Sequence, residues 1–361
     1  MESQYHKFYK SEPFYVLNQD VFYDEDIQDN QQTREYSDIN FLRKFNNFIK
    51  AVLINKYIDR LPYKYSPSIF DLCSGKGGDL RKWILKKPSH YVALEYQEQL
   101  IKIAIERLRE IRNVEFPSIF VVADAGDESM TIDKVLADDK FRDIKSSIVF
   151  DMVSCQFAMH YMFESEKKLR NFLHNVSCKL TPGGFFIGTT IDSDRIVSQM
   201  RLDTTGSMTV ENEDFAIKFG QIAFPKDQGA FGLKYYFYLK DAIGKQKFLE
   251  SEKVYVPEYL VIFPKLIEIA KEYDLELVEQ KNFHEFYSES VQDANNQGLF
   301  NRMVFKEASQ RMTQEGINRQ FEICGSYQVF AFKKMGQVIK RMHNNFGNYR
   351  VCREINYRNF V

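Results

Sequence analysis

Residues Asp71 to Asp79 read DLCSGKGGD. The run follows a short apolar segment, SIFDLC, and opens a helical one, GDLRKWILKK, so Gly75, Gly77 and Gly78 make a tight turn where a nucleotide-like ligand can approach the backbone. It is not a Walker loop, because Lys76 lacks the spaced glycines and the Lys-Ser/Thr pair that cradle phosphates. About 20 residues on, Glu95 ends the next strand, YVALE, where an acid can accept hydrogen bonds from the ribose hydroxyls of an adenosine cofactor. Asp124 ends the third strand, in VVAD, at the same edge of the sheet and within the chemistry of an adenine amino group.

Outward from this turn, strands and helices alternate. EQLIKIAIERLREI is helical, SIFVVAD and IVFDMVSC extended, KKLRNFLHNVSCKL helical, TPGG a turn and FFIGTTI a strand. Short apolar strands separated by amphipathic helices predict an α/β fold, a doubly wound Rossmann-like and mostly parallel sheet. Before it, INFLRKFNNFIKAVLINKYI places Phe41, Phe45, Phe48, Val52 and Ile58 near helical spacing. After it the order changes: DFAIKFGQIAF and FGLKYYFYL are expected as antiparallel strands, PEYLVIFPKLIEIAKEY as a helix, and LELVEQ and SYQVFAFKK as late strands that close the sheet and cover its edge.

Composition bounds the function. With 361 residues, 44% hydrophobic and 27% charged, the chain can bury a large core. Lys plus Arg number 49 against 50 Asp plus Glu, so a polyanionic partner must be met by local basic clusters. The start MESQYHKFYK is polar and no apolar run approaches the ~18 residues of a membrane span, so an intracellular protein with no membrane partner is expected. Cys73, Cys155, Cys178, Cys324 and Cys352 are scattered without ligand spacing, so neither a disulfide framework nor a metal site is expected. Three regions follow: an acidic, polar arm over 1–37, a domain over 38–334, and a basic tail over 335–361.

FLRKFNNFIK, DLCSGKGGDLRKW, VSCQFAMHYMFE, LTPGGFFIGTT, FGLKYYFYL, VPEYLVIFPKL and YQVFAFKK occur in an order that resembles the eukaryotic and viral messenger RNA cap guanine-N7 methyltransferases, from about Asn40 to Lys334. The resemblance implies a class I S-adenosylmethionine-dependent methyltransferase whose cofactor half covers about 38–195 and whose cap-binding additions cover about 196–334. By position it implies that Lys50, Asp71, Cys73, Gly75, Asp79, Glu95, Asp124, Gln156 and Tyr161 surround S-adenosylmethionine. The cap guanosine falls to Asn46, Asn47, His160, Glu258 and Tyr327, and its phosphates to Lys76, Lys82 and Arg107. The resemblance further implies that His160, Tyr161 and Glu258 act by positioning and electrostatics, with no general base, because guanine N7 carries a lone pair and no proton. The implied partners are the capped 5′ end of mRNA, with the capping enzyme, the RNA polymerase II machinery or a small activating subunit beside it. The task implies a nuclear location, or a cytoplasmic one if the source is viral.

The chain departs from the family's usual pattern at Cys73, which stands for a Gly, at Glu95 for Asp, at Phe48 for Trp, at Ile191 for Pro, and in the stretch DAIGKQKFLESEKVY before Glu258. Two other readings remain. A small-molecule methyltransferase on the same fold would need neither Asn46 nor Glu258. A cap-binding protein that has lost transfer would bind cap analogues and yield no methylated product.

Overall fold

In the computed structural model the amphipathic run before the glycine-rich turn is helix α1 (Asn40–Ile58), and SIFDL is strand β1 (Ser68–Leu72), buried throughout. The structure describes residues 37–337 except 63, 113, 115, 128–130, 133–147, 203–207, 221–228, 241–252 and 254, together with a strand at 352–356. The acidic arm up to residue 36, most of the basic tail and most of the stretch preceding Glu258 therefore lie outside the described residues.

The alternation after β1 is α2 (Leu80–Ile84), β2 (His90–Glu95), α3 (Glu98–Glu110), β3 (Ser118–Val122), β4 (Phe150–Gln156), α4 (Met159–Met162), α5 (Glu166–Ser177) and β5 (Leu180–Ile191). The strands β2, β3 and β4 are buried along their length apart from Gln156, as strands covered on both faces must be. α3 turns Leu100, Ile101, Ala104, Ile105 and Leu108 inward, and α5 turns Leu169, Phe172, Leu173 and Val176. Ser165 caps α5 by accepting from the Lys168 N–H at 3.2 Å. TPGG, expected as a turn, is absorbed into the start of β5 as an irregularity: Gly183 sits at φ 82° and the register against β4 shifts between Phe150 and Met152.

β1 pairs in parallel with β2 on one side and β4 on the other, β2 with β3, and β4 with β5. The order reverses at β1, so its carboxyl end is the switch point at which such sheets open a crevice for ligands.

Two compact units alternate along the chain, so that the expected cofactor half (38–195) and cap-binding additions (196–334) are threaded through both. One unit comprises 53–190, 263–280 and 329–361. It holds the sheet just described and α7 (Phe263–Lys271). The eight strands run β10-β11-β5-β4-β1-β2-β3-β12, with β10 (Leu275–Asn282), β11 (Tyr327–Lys334) and β12 (Cys352–Asn356). Two late strands thus extend one edge, and part of the basic tail pairs in parallel with β3 at the other.

The second unit takes the described residues of 1–52, with 191–262 and 281–328. Its β6 (Thr209–Glu211), β7 (Phe215–Lys218), β8 (Lys234–Leu239) and β9 (Val256–Tyr259) form an antiparallel sheet of their own. Around them stand α6 (Ser193–Leu202), α8 (Phe283–Ser290), α9 (Ala294–Phe300), α10 (Lys306–Arg311) and α11 (Gln314–Cys324). Phe45 of α1 packs its ring among Tyr287, Phe300 and Phe321, with centroids 5.3, 6.3 and 5.5 Å away.

One expectation is corrected here. PEYLVIFPKLIEIAKEY is not a single helix: Val256–Tyr259 is strand β9, and the helix starts at Phe263. Within Val256–Tyr259, Val256 and Glu258 are buried while Pro257 and Tyr259 are less so, the period of two of a strand, and Pro264 fits the first helical turn, where its missing N–H costs nothing.

Candidate active site

The turn after β1 is left-handed at three places, Cys73 (φ 55°), Gly75 (φ 53°) and Gly77 (φ 68°). A Cβ built on Gly77 would stand 2.4 Å from Cδ1 of Leu80, whereas one on Gly75 would meet nothing within 4 Å. Gly77 is therefore needed for packing, and Gly75 borders open space. An L side chain at the φ of Cys73 costs roughly 1 kcal/mol, which is why a Gly suits that position. Its hydrogen bond with Cys155 and burial hold the Cys73 thiol well above its usual pKa, which disfavours the thiolate.

Glu95 fastens this turn to the next strand. Its Oε2 accepts from the Gly75 N–H at 2.9 Å and its Oε1 from the Gln97 N–H at 3.1 Å. Burial raises its pKa, against the backbone N–H groups of Gln97 and Gly75, which lower it. A carboxylate accepts about four hydrogen bonds, so both oxygens keep acceptor capacity. The Ser74 hydroxyl beside it is buried with no partner among the described residues. An acid, an orphaned hydroxyl and open space over Gly75 suit the diol and polar tail of an adenosine-bearing cofactor.

Other residues expected in this region divide by what they touch. Asp124, at the end of β3, accepts from the Gly126 N–H at 2.8 Å and stands 3.5 Å from the Lys168 ammonium. Gln156 ties β4 to β5, donating to Ser154 Oγ and accepting from Thr189 Oγ1, both at 3.1 Å. Asp71 is turned inside, where its Oδ2 accepts from the Tyr91 hydroxyl (2.9 Å) and the Trp83 indole (3.3 Å), so it anchors the root of the turn. Asp79 pairs with Lys82 at 2.7 Å, and Arg107 donates to the Lys76 carbonyl at 2.8 Å. Lys76 thus lies on the glycine-rich turn and Lys82 on its helix, while Arg107 reaches the turn from α3.

His160 and Tyr161 lie on α4, just past the carboxyl end of β4, with ring centroids 4.1 Å apart. Burial pushes the His160 pKa down to about 3, so the imidazole is neutral at physiological pH.

In the second unit, Asn46, Asn47 and Lys50 are half-buried on α1. Asn47 donates to the Arg43 carbonyl one turn back at 3.0 Å, while Asn46 Oδ1 is buried with no donor among the described residues. Phe48 is fully buried, 5.3 Å from Phe300, so this substitution for Trp is core packing.

Glu258, 6% exposed on β9, faces Tyr235 of β8 in register. The Tyr235 hydroxyl donates to Glu258 Oε2. Burial raises the Glu258 pKa to about 7, with the Tyr235 hydrogen bond acting in the opposite direction. Tyr327 is buried against Phe283 at 5.7 Å. Burial and the charge of Glu258 hold the Tyr235 and Tyr327 hydroxyls protonated, as donors. Sequence reasoning missed Tyr235, since among Tyr235, Tyr236 and Tyr238 nothing but strand register marks the one opposite Glu258.

A family model for the mRNA (guanine-N(7))-methyltransferase domain matches residues 17–335. The chain is 34% identical over 335 residues to mRNA cap guanine-N(7) methyltransferase 1 of Oryza sativa subsp. japonica, covering 88% of this chain and 81% of that protein. It is 35% identical over 305 residues to the mRNA cap guanine-N(7) methyltransferase of Schizosaccharomyces pombe, covering 84% and 78%. To the mRNA cap guanine-N(7) methyltransferase 1 of Arabidopsis thaliana it is 33% identical over 317 residues, covering 85% and 78%.

Proposed function

The chain belongs to the mRNA (guanine-N(7))-methyltransferase family, and we infer that it transfers the methyl group of S-adenosylmethionine to guanine N7 of the 5′ GpppN cap. Within that activity, the observation that supports guanine as the base is the buried carboxylate of Glu258. A buried acceptor left unpaired is costly, and guanine alone among the purines of RNA offers two adjacent donors, N1–H and the exocyclic amino group. Adenine at the same edge would present a lone pair to Glu258.

The cofactor, when bound, supplies an electrophilic methyl group on a sulfonium centre. Glu95 is assigned to the ribose hydroxyls, Asp124 to the adenine amino group, and the turn at Cys73–Gly75, with Asp79, Lys50, Gln156 and Tyr161, to the remainder. Guanine N7 attacks with its own lone pair, so no residue need remove a proton, and the chain contributes alignment and electrostatics. As attack makes the guanine cationic, ionised Glu258 favours that charge. A neutral His160 can donate one N–H to guanine O6 without repelling it, which a protonated imidazole would do. Asn46, Asn47 and Tyr327 are assigned to the nucleoside, and Lys76, Lys82 and Arg107 to the triphosphate, where lysine acts as a point charge and arginine can grip two oxygens. A nuclear site of action, and association with the capping enzyme, RNA polymerase II machinery or a small activating subunit, belong to the same proposal.

The test is transfer of labelled methyl from S-adenosylmethionine to RNA carrying an unmethylated guanosine cap, with an adenosine-capped control and digestion of the product. Label confined to guanine N7 is the expected result. Binding of cap and cofactor without label would instead establish a cap-binding protein, and label on small acceptors but not on capped RNA a small-molecule methyltransferase.

A further inference from the structure

One face of α5 is devoted to the loop that follows β3. Lys168, Asn171 and Asn175 stand three and four residues apart, on one side of the helix. Asn171 donates to the Gly126 carbonyl at 3.2 Å, and Asn175 donates to the Ala125 carbonyl at 2.9 Å while accepting from the Ile132 N–H at 2.8 Å. Lys168 completes the row, with its ammonium 3.5 Å from Oδ2 of Asp124. Its stem lies across Gly126, where a Cβ would come within 2.4 Å of Lys168 Cγ. The same ammonium is 3.0 Å from Oε2 of Glu164, the last residue of the segment that carries His160 and Tyr161. Lys168 therefore bridges two loops, one at the end of β3 and one beyond β4.

The Asp124 carboxylate is held at both oxygens, Oδ1 by the Gly126 N–H and Oδ2 by Lys168, yet 28% of its side chain stays exposed. Two fixed points set the plane of a carboxylate that would otherwise rotate freely, and rotation lost on binding weakens affinity. Lys168 also supplies a cation beside Asp124, whose negative charge disfavours that of Glu95.

We propose that Lys168 is a positioning residue for the adenine edge of the cofactor site, orienting Asp124 through a bridge to Glu164. This rests on the assignment of Asp124 to the adenine amino group. It is tested by calorimetric titration of S-adenosylhomocysteine and of its inosine counterpart, which has a carbonyl in place of the amino group. In Lys168→Met the preference for the adenosine compound should fall about tenfold, the scale of one charge-assisted hydrogen bond, with affinity for the inosine compound little changed. Lys168→Arg should restore the preference, and Glu164→Gln should reproduce part of its loss; a general packing defect would weaken both ligands alike and overturn the proposal. Wild-type preference in Lys168→Met overturns it too, provided Asp124→Ala has lost that preference. If Asp124→Ala also keeps the preference, the assignment of Asp124 has failed, and the role of Lys168 with it.

Discussion

Glu258 is held near neutrality by burial, and this gives its substitution two measurable consequences. An acid whose pKa is raised on folding lends stability that is fully present below its unfolded value, near 4.5, and lost as pH rises through about 7. Glu258→Gln removes that loss, so the variant should equal the wild type near the acid end and exceed it by about 3 kcal/mol in mildly alkaline buffer, as read by denaturant titration at each pH. The same variant should have lower kcat as well as lower kcat/KM on capped RNA, because the charge that favours cationic guanine is gone. Tyr235→Phe acts on the other side of the balance. Its hydroxyl lowers the Glu258 pKa, so without it the acid limb of the kcat/KM profile should move to higher pH. An unmoved limb would show that Glu258 is not the group titrating.

Among the elements, β5 is closely packed at Gly188. Gly188 pairs with Cys155 of β4, and a Cβ there would come 2.2 Å from the Cys155 carbonyl oxygen and 2.4 Å from Cζ of Phe330. The carbonyl belongs to the sheet and cannot swing aside, so Gly188→Ala should destabilise by about 2–3 kcal/mol, measured by thermal or chemical unfolding. The identity of such elements was legible from pattern. β1 to β5 and the helices α2, α3 and α5 between them were readable because buried parallel strands are apolar in a row and amphipathic helices repeat every three to four residues. The segment PEYL was misread because four residues are too few to separate a strand period from a helical one, and its pairing with β8 is a non-local fact.

For the whole molecule, the net charge of −1 leaves attraction to RNA to local groups. If Lys76, Lys82 and Arg107 meet the triphosphate, the logarithm of cap affinity should fall against the logarithm of salt with a slope of about −2, and Lys76→Met should flatten it by about 0.7. A flat response in the wild type would remove all three from the phosphate contacts. Lys82 and Arg107 have a second duty, through Asp79 and the Lys76 carbonyl, so their substitution should also loosen the cofactor turn.

Sequence by itself determined the strands β1 to β5, the cofactor-type turn and the acids at their ends, because glycine spacing, strand ends and helical periods are local and each follows from a few neighbouring residues. Glu95 and Asp124 were singled out in this way, from their positions at strand ends and, for Glu95, from its spacing after the glycine-rich turn. Only the tertiary structure decided that Asp71 points inward to Tyr91 and Trp83, that Tyr235 is the partner of Glu258, that Lys168 joins Asp124 to Glu164, and that four antiparallel strands build a separate sheet. Side-chain direction, burial and the resulting pKa values depend on residues far apart along the chain, and no local pattern records which of several tyrosines or lysines the fold will bring to a carboxylate.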